Sequence, residues 1–341
     1  MNTPLSLDGK NILLLAPKFF GYEKMLQKAL EKLGAQVTFY DERPSNSTAG
    51  KAMLRINPRL MQDQIKKYYQ KILSDTADFS FDHILICQGE ATPIFFLEEL
   101  ANYFPKSFKT LYFWDSMENK IHNREKAAYF DLVSSFDYQD CQKYGWHFRP
   151  LFFDTSYETL QKSEQNVLDL FFVGTIHSDR FIILEQIKKA FLAEKRSVFF
   201  YYFIPSKLMF YYYKYLKKII PNAQLNDFHY QALNKDVLQE KLAAAKTVVD
   251  IQHPAQSGLT MRTIEMLGAK KKLITTNSDV VHYDFYRSEN ICVVDRTDVQ
   301  VPENFLRSTY QEIPEEVYRR YDIHYFVCEL LGIVTGGNYH D

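Results

Sequence analysis

No stretch restricts the fold more than residues 247 to 276. An apolar run, Thr247-Val248-Val249-Asp250-Ile251, leads through a turn containing Pro254 into Gln256-Ser257-Gly258-Leu259-Thr260-Met261-Arg262-Thr263-Ile264-Glu265-Met266-Leu267-Gly268. A second apolar run, Lys272-Leu273-Ile274-Thr275-Thr276, follows. Strand, small-residue loop, one short helix and strand make a βαβ unit, with both strands parallel in one sheet. Ser257 or Gly258 is expected to cap the helix, and Gly268 to end it. Met261, Ile264 and Leu267, three residues apart, form its packing face. Gly258, Arg262 and Glu265 share a neighbouring face.

That second face suits an anion. Free N–H groups open the helix, with Thr260 and Arg262 beside them, so phosphate oxygens would meet both a dipole and a cation. Arg262 would then hold phosphate and Glu265 the ribose hydroxyls. The competing reading is an ordinary amphipathic helix with a solvated Arg262–Glu265 pair worth only about a few tenths of a kcal/mol.

The order Ser-Gly-Leu-Thr-Met-Arg-Thr-Ile-Glu-Met-Leu-Gly-Ala, then Lys-Lys-Leu-Ile-Thr-Thr-Asn, resembles the donor-binding segment of GT-B glycosyltransferases, above all those of bacterial capsule and lipopolysaccharide loci. In that superfamily a glycine-containing loop and helix hold the nucleotide diphosphate, and a glutamate on the helix takes the ribose. Gly258, Arg262 and Glu265 stand at the matching positions. The resemblance is specific over residues 247 to 296, weaker over 170 to 180, and only architectural before 154. Two departures stand out: Glu265 has no upstream glutamate partner, and Lys270-Lys271-Lys272 follows Gly268-Ala269 where glycine or proline is frequent.

The rest of the chain repeats the strand–helix alternation. Asn11 to Pro17, Gln36 to Tyr40, His83 to Cys87, Thr110 to Trp114, Leu132 to Ser135 and Arg149 to Phe153 read as strands. Helices are expected at Glu23 to Leu33, Pro58 to Leu73, Pro93 to Asn102, Asn119 to Phe130 and Asp137 to Tyr144. A polar run, Asp154 to Asn166, reads as a linker. The pattern then restarts with strands at Leu168 to Val173 and Ser197 to Phe203, helices at Phe181 to Glu194, Ser206 to Ile220 and Lys235 to Ala245, the βαβ unit, and a short strand at Asn290 to Val294. The expected class is α/β, two Rossmann-like domains facing a cleft: an acceptor domain over 1–154 and a donor domain over 167–310. By resemblance, helices in 311–341 cross back to the first domain. No GxGxxG follows the first strand, so a dinucleotide fingerprint is absent.

Composition narrows the function. With 41 basic and 42 acidic residues the net charge is −1, which speaks against a nucleic-acid partner. The four cysteines show no CxxC pair, so a zinc site or disulfide frame is not expected, and Cys87 and Cys292 read as core. No secretory leader and no run of 18 or more apolar residues is seen, so a cytoplasmic protein is expected. The basic, Tyr-rich second half of Phe199 to Tyr215, with Lys207, Lys214, Lys217 and Lys218, reads either as a core helix or as one lying on the inner membrane face.

A second set of phosphate contacts is expected from Gly174, Thr175, Ser178 and Arg180, at the end of the donor domain's first strand, with His177 undecided. The same turn resembles the Val-Gly-Thr/Ser turn of those transferases. Gln256, Ser257 and Leu259 belong to the expected donor-binding loop, His253 and Gln252 beside it are candidates to contact the sugar, and Asp250 and Asp284 have a weaker claim. By resemblance, the group that takes the acceptor's proton belongs to the first domain, at a strand's carboxyl end. Glu90 and Asp115 are the candidates, with Asp41 behind them. The histidines show no ligand spacing, so no metal and no cofactor is expected; helix dipole and Arg262 would replace a cation.

The expected function is metal-independent glycosyl transfer from a nucleotide-sugar to a glycan or glycolipid acceptor of the cell surface. A sugar-nucleotide epimerase, a polyol-phosphate transferase and a non-catalytic glycan-binding scaffold are the alternatives on this fold.

Overall fold

A computed structural model describes residues 5–44, 62–117, 121–160, 167–254 and 257–341, without the side chains of 121–123. The start of the helix expected from Pro58 falls outside this set, as do Gln256 and residues 161–166. The chain divides into two compact units: residues 1–152 with 319–339, and residues 153–318 with 340–341.

The first unit holds one parallel six-stranded sheet. Its strands are β1 (Asn11–Ala16), β2 (Gln36–Asp41), β3 (His83–Cys87), β4 (Phe108–Phe113), β5 (Leu132–Ser135) and β6 (His147–Phe148), in spatial order β2-β1-β3-β4-β5-β6. Strand β3 is buried from end to end, as a run of apolar residues covered on both faces must be. The order reverses between β1 and β3, and in open parallel sheets such a switch point leaves a crevice at the strands' carboxyl ends. Arg149 to Phe153 is not a strand. The sheet ends at Phe148 because the fully buried Arg149 turns inward, its Nε 3.1 Å from Glu329 Oε2 and its Nη2 donating to the Arg320 carbonyl at 2.7 Å. Helix Ile323–Leu330 packs against helix Tyr22–Lys32, and Thr110 Oγ1 donates to the carbonyl of Leu330 at 2.5 Å.

The second unit holds another parallel six-stranded sheet. Strands β7 (Leu168–Thr175), β8 (Val198–Phe203), β9 (Phe228–His229), β10 (Ala245–Asp250), β11 (Lys272–Thr275) and β12 (Ile291–Val293) lie in the order β12-β11-β10-β7-β8-β9. Numbered from its own first strand, this is the 3-2-1-4-5-6 order of dinucleotide-binding folds. The switch point lies between β7 and β10, which pair from Ala245↔Leu168 to Val248↔Phe171. The polar run expected as a linker is folded at its start: Asp154 caps the turn Thr155–Glu158, accepting from Ser156 N–H at 2.9 Å. The helix expected over Ser206 to Ile220 is α-helical only at Lys207–Tyr211 and continues as a π-helical turn, Tyr212–Leu216.

Candidate functional site

In the βαβ unit the helix spans Met261–Gly268, and Thr260, not Ser257 or Gly258, caps it. Thr260 Oγ1 accepts from Thr263 N–H at 3.3 Å while donating to Asp250. Asp250 Oδ2 also accepts from Thr263 Oγ1 at 3.0 Å, so a buried carboxylate at the end of β10 braces the first helical turn. Ser257 and Gly258 belong to the approach loop, where Asn277 Nδ2 donates to their carbonyls at 3.0 and 3.3 Å. Leu259 is buried beneath that loop.

Gly268 does not stop the helix by a left-handed turn; Lys270, at φ 51°, takes that conformation instead. A Cβ at Gly268 would stand 2.5 Å from Phe153 Cγ, so this glycine serves a close approach.

The loop after β7 lies beside the one after β10. Gly174 and Thr175 close β7, and Ser178, at φ 45°, turns the chain into helix Arg180–Ala193. Arg180 spans both loops. Its Nε donates to the Ile251 carbonyl at 2.7 Å, Nη2 donates to the same oxygen, and Nη1 donates to the Thr175 carbonyl at 2.8 Å. Arg262 Nη2 donates to the Val173 carbonyl at 2.8 Å, and its guanidinium lies 5.7 Å from the centre of the Phe172 ring.

Arg296, at the end of the segment after β12, pairs with Asp179 at 2.7 Å and donates from Nη2 to the Gln252 carbonyl at 2.7 Å. Sequence reading passed over Arg296; its place directly behind a short apolar strand was the signal available. The His177 and His253 rings face each other at 5.5 Å, and His177 Nδ1 lies 3.0 Å from Ser178 Oγ.

Electrostatics single this end of the sheet out. Burial, with Arg262 and Arg296 opposing the attraction of Asp250 and Asp179, lowers Arg180 to about 10. Burial, followed by Arg180 and His253, pushes His177 down to about 4, so it is neutral at pH 7. Three guanidiniums thus gather at this end of the sheet, with Asp250 and Asp179 beside them and Glu265 within the field of Arg262.

Glu265 is turned to another partner. Burial raises its pKa, while a hydrogen bond from Tyr157 and the charge of Arg262 hold it down. Asp284 is half-buried in the turn after the short 3-10 helix Ser278–His282.

Glu90 and Asp115 lie in the first unit, at the carboxyl ends of β3 and β4. Glu90 is 3.6 Å from Arg43, and Asp115 accepts from Gln88 Nε2 at 2.8 Å. The loop between them is held from beneath. Gln88 and Gly89 both adopt left-handed backbone, and buried Lys126 donates to the carbonyls of Gly89 and, at 3.3 Å, Glu90. Fully buried Glu42 accepts from the N–H of Ala91 and, at 3.1 Å, of Thr92. Burial pushes Glu42 up to about 7 against the pull of Lys126, and its Oε2 has no hydrogen-bond partner among the described residues. Asp41, beside it, sits 4.0 Å from Lys18 and accepts from Arg43 N–H at 2.9 Å.

Among the described residues no three His, Cys, Asp or Glu side chains gather as a metal-holding group, and no helix is long and apolar enough to cross a membrane.

Two parallel six-stranded sheets of these orders, with helices around them, define the GT-B fold. The solved structures it resembles include the lipopolysaccharide outer core galactosyltransferase WaaB in its apo form, at 12% identity and TM-score 0.54, over 95% of this chain and 99% of that one. A glycosyltransferase from Rickettsia africae ESF-5 matches at 11% identity and TM-score 0.61, over 95% and 97%. An alpha,alpha-trehalose-phosphate synthase (UDP-forming) from Burkholderia xenovorans, in complex with glucose-6-phosphate, matches at 12% identity and TM-score 0.60, over 96% and 100%. No family model and no curated protein sequence matches the chain. At such identities the likeness concerns the fold.

Proposed function

We propose that the protein is a glycosyltransferase that moves a sugar from a nucleotide-activated donor to a cell-surface glycan or glycolipid without a metal ion. One observation carries the reading: Arg180, Arg262 and Arg296 converge on the switch point of the second sheet, where burial and the other two guanidiniums oppose the charge of Arg180 despite Asp250 and Asp179 beside it. A bound diphosphate would supply the missing negative charge where this fold leaves a crevice. The helix start at Thr260, the loop amides around Gly258 and Arg262 would then stabilise charge growing on the leaving phosphate. Gly174, Thr175 and Ser178 line the same switch point, and His177, neutral, is suited to donate or accept one hydrogen bond beside it. Glu265 takes the ribose once Tyr157 yields it.

In the first domain, Glu90 and Asp115 are the proposed acceptors of the hydroxyl proton, and Glu42 with Lys126 hold their loop. The acceptor is assigned to capsule or lipopolysaccharide. Leu208, Tyr215 and Leu216, exposed by 82%, 63% and 75%, lie among the exposed Lys207, Lys217 and Lys218. That mixed face is proposed to rest on the cytoplasmic surface of a membrane.

Thermal unfolding in the presence of UDP, GDP, CMP or dTDP tests the reading. One nucleotide should raise Tm, since saturation at a hundredfold excess over Kd adds about 2.7 kcal/mol. Arg262→Ala should abolish the shift; a chain indifferent to all four would end the proposal.

A further inference from the structure

A second cationic site lies at the opposite end of the second sheet. A cavity of about 640 Å³ opens where β7, β10 and β11 begin, one strand length, roughly 17 Å, from the Thr260 loop. Its size is that of small-molecule sites. Arg196, Lys246, Lys270, Lys271, Lys272 and Arg307 line it, and none of its described lining residues is acidic. Leu306, Tyr310 and neighbouring alanines supply an apolar wall.

Two of the lysines have structural work. Lys271 Nζ donates to the carbonyls of Ala243 and Ala245, at 3.0 and 2.6 Å, closing the helix Lys235–Ala244. Lys272 Nζ donates to Phe305 and Ser308 carbonyls and to Ser308 Oγ, closing the helix Glu303–Arg307. The acceptors of Lys272 are neutral. Burial, aided by Arg196, accordingly lowers Lys272 to about 8.

Lys270 pairs with Glu312 at 2.6 Å and Arg307 with Glu303, whereas the cations at the starts of β7 and β10 are less fully matched. Arg196 is 3.8 Å from Asp169, beyond hydrogen-bond reach, and its buried Nε finds no acceptor among the described residues. Lys246 shares that same Asp169 at 3.0 Å. One carboxylate therefore serves two cations at the rim, and the planar guanidinium of Arg196 keeps one donor, Nε, without an acceptor among the described residues.

We propose that this cavity binds a phosphate monoester carrying an apolar body, with Arg196 and Lys246 on the phosphate and Leu306 and Tyr310 against the organic part. The charge-assisted fork of Arg196 matches a phosphate face. Such a group is presented both by free organic phosphates and by phosphorylated lipids. The site is separate from the carboxyl-end loops and does not depend on what they bind.

Calorimetric titration of the full chain with octyl phosphate, inorganic phosphate, and phosphatidylcholine vesicles with and without phosphatidic acid provides the test. Octyl phosphate should bind saturably and more tightly than inorganic phosphate. Arg196→Gln and Lys246→Gln should each weaken it by about tenfold, the loss of one charge-assisted contact, with Arg196→Lys recovering part. Binding to phosphatidic acid vesicles in preference to octyl phosphate would assign the ligand to lipid; the reverse would assign it to a free ester. UDP binding should be unchanged in both glutamine variants, so a chain that binds octyl phosphate but no nucleotide would refute only the transferase reading. Absence of saturable binding to every probe, or equal binding by wild type and both glutamine variants, would overturn the proposal.

Discussion

Arg180 donates to the main-chain carbonyl of Ile251 from two of its nitrogens, Nε at 2.7 Å and Nη2, and thereby ties the loop after β7 to the loop after β10. The two loops flank the point where the strand order reverses, so Arg180, together with Arg296, sets their spacing at the proposed anion seat. Arg180→Lys keeps a cation but loses the planar fork. The variant should lose about 1–3 kcal/mol of stability in urea unfolding and bind the preferred nucleotide at least about tenfold more weakly by calorimetry. Unchanged affinity would show that the spacing is set elsewhere.

His177 is expected to report on occupancy of the proposed site. Its folded pKa of about 4 lies below the ordinary 6.5 because burial and nearby cations oppose its charge. Native protein therefore binds fewer protons than unfolded chain between those values, and stability should fall as pH drops from about 6.5 through about 4. A bound diphosphate would offset the cations and raise the folded pKa. NMR titration of the imidazole should show its midpoint moving upward with nucleotide; an unmoved midpoint would place the ligand elsewhere.

Glu265 and Tyr157 should trade partners when a nucleoside arrives. Glu265→Gln is expected to weaken a nucleoside diphosphate by about 1–2 kcal/mol while sparing inorganic pyrophosphate, since only the former presents ribose hydroxyls. Tyr157→Phe frees the carboxylate and should leave nucleotide affinity equal or tighter. Equal losses for both ligands in Glu265→Gln would assign Glu265 to the phosphates or to packing.

Glu42 and Lys126 are both buried under the loop that carries Glu90, and their charges attract each other. The Glu42 folded pKa, about 7 against an ordinary 4.5, makes its contribution fall as pH rises through that window, because the native state holds the proton longer. Breaking the pair by Glu42→Gln or Lys126→Met alone should cost about 3 kcal/mol each, whereas the double variant should cost less than the sum by about 1–3 kcal/mol. Strict additivity in urea unfolding would mean the two do not act together.

Much of this architecture was legible in the apolar runs. A continuous short stretch such as Ile12 to Ala16 or His83 to Cys87 reads as a strand covered on both faces, and each was followed by a helix-forming segment. The reading slipped where tertiary contacts outrank local pattern. Arg149 ends a strand early because Glu329, 180 positions later, holds its charge inside. Gly268 looked like a stop signal, but its missing side chain makes room for Phe153. The capping role fell to Thr260 rather than Ser257 because Asp250, ten residues back, orients its hydroxyl. Arg296 and Glu42 carried no local motif at all; their meaning comes from neighbours that only folding brings near.

The pairing of Arg149 with Glu329 also fixes an order of events during synthesis. Residues 153 to 318, most of the second unit, leave the ribosome before 319 to 339, which complete the first, and 340 and 341 of the second unit follow. Until those late residues emerge, the nascent amino-terminal half holds an arginine with no counter-ion and an uncovered face on helix Tyr22–Lys32. The half translated first thus waits for nearly the whole chain before its buried arginine is balanced.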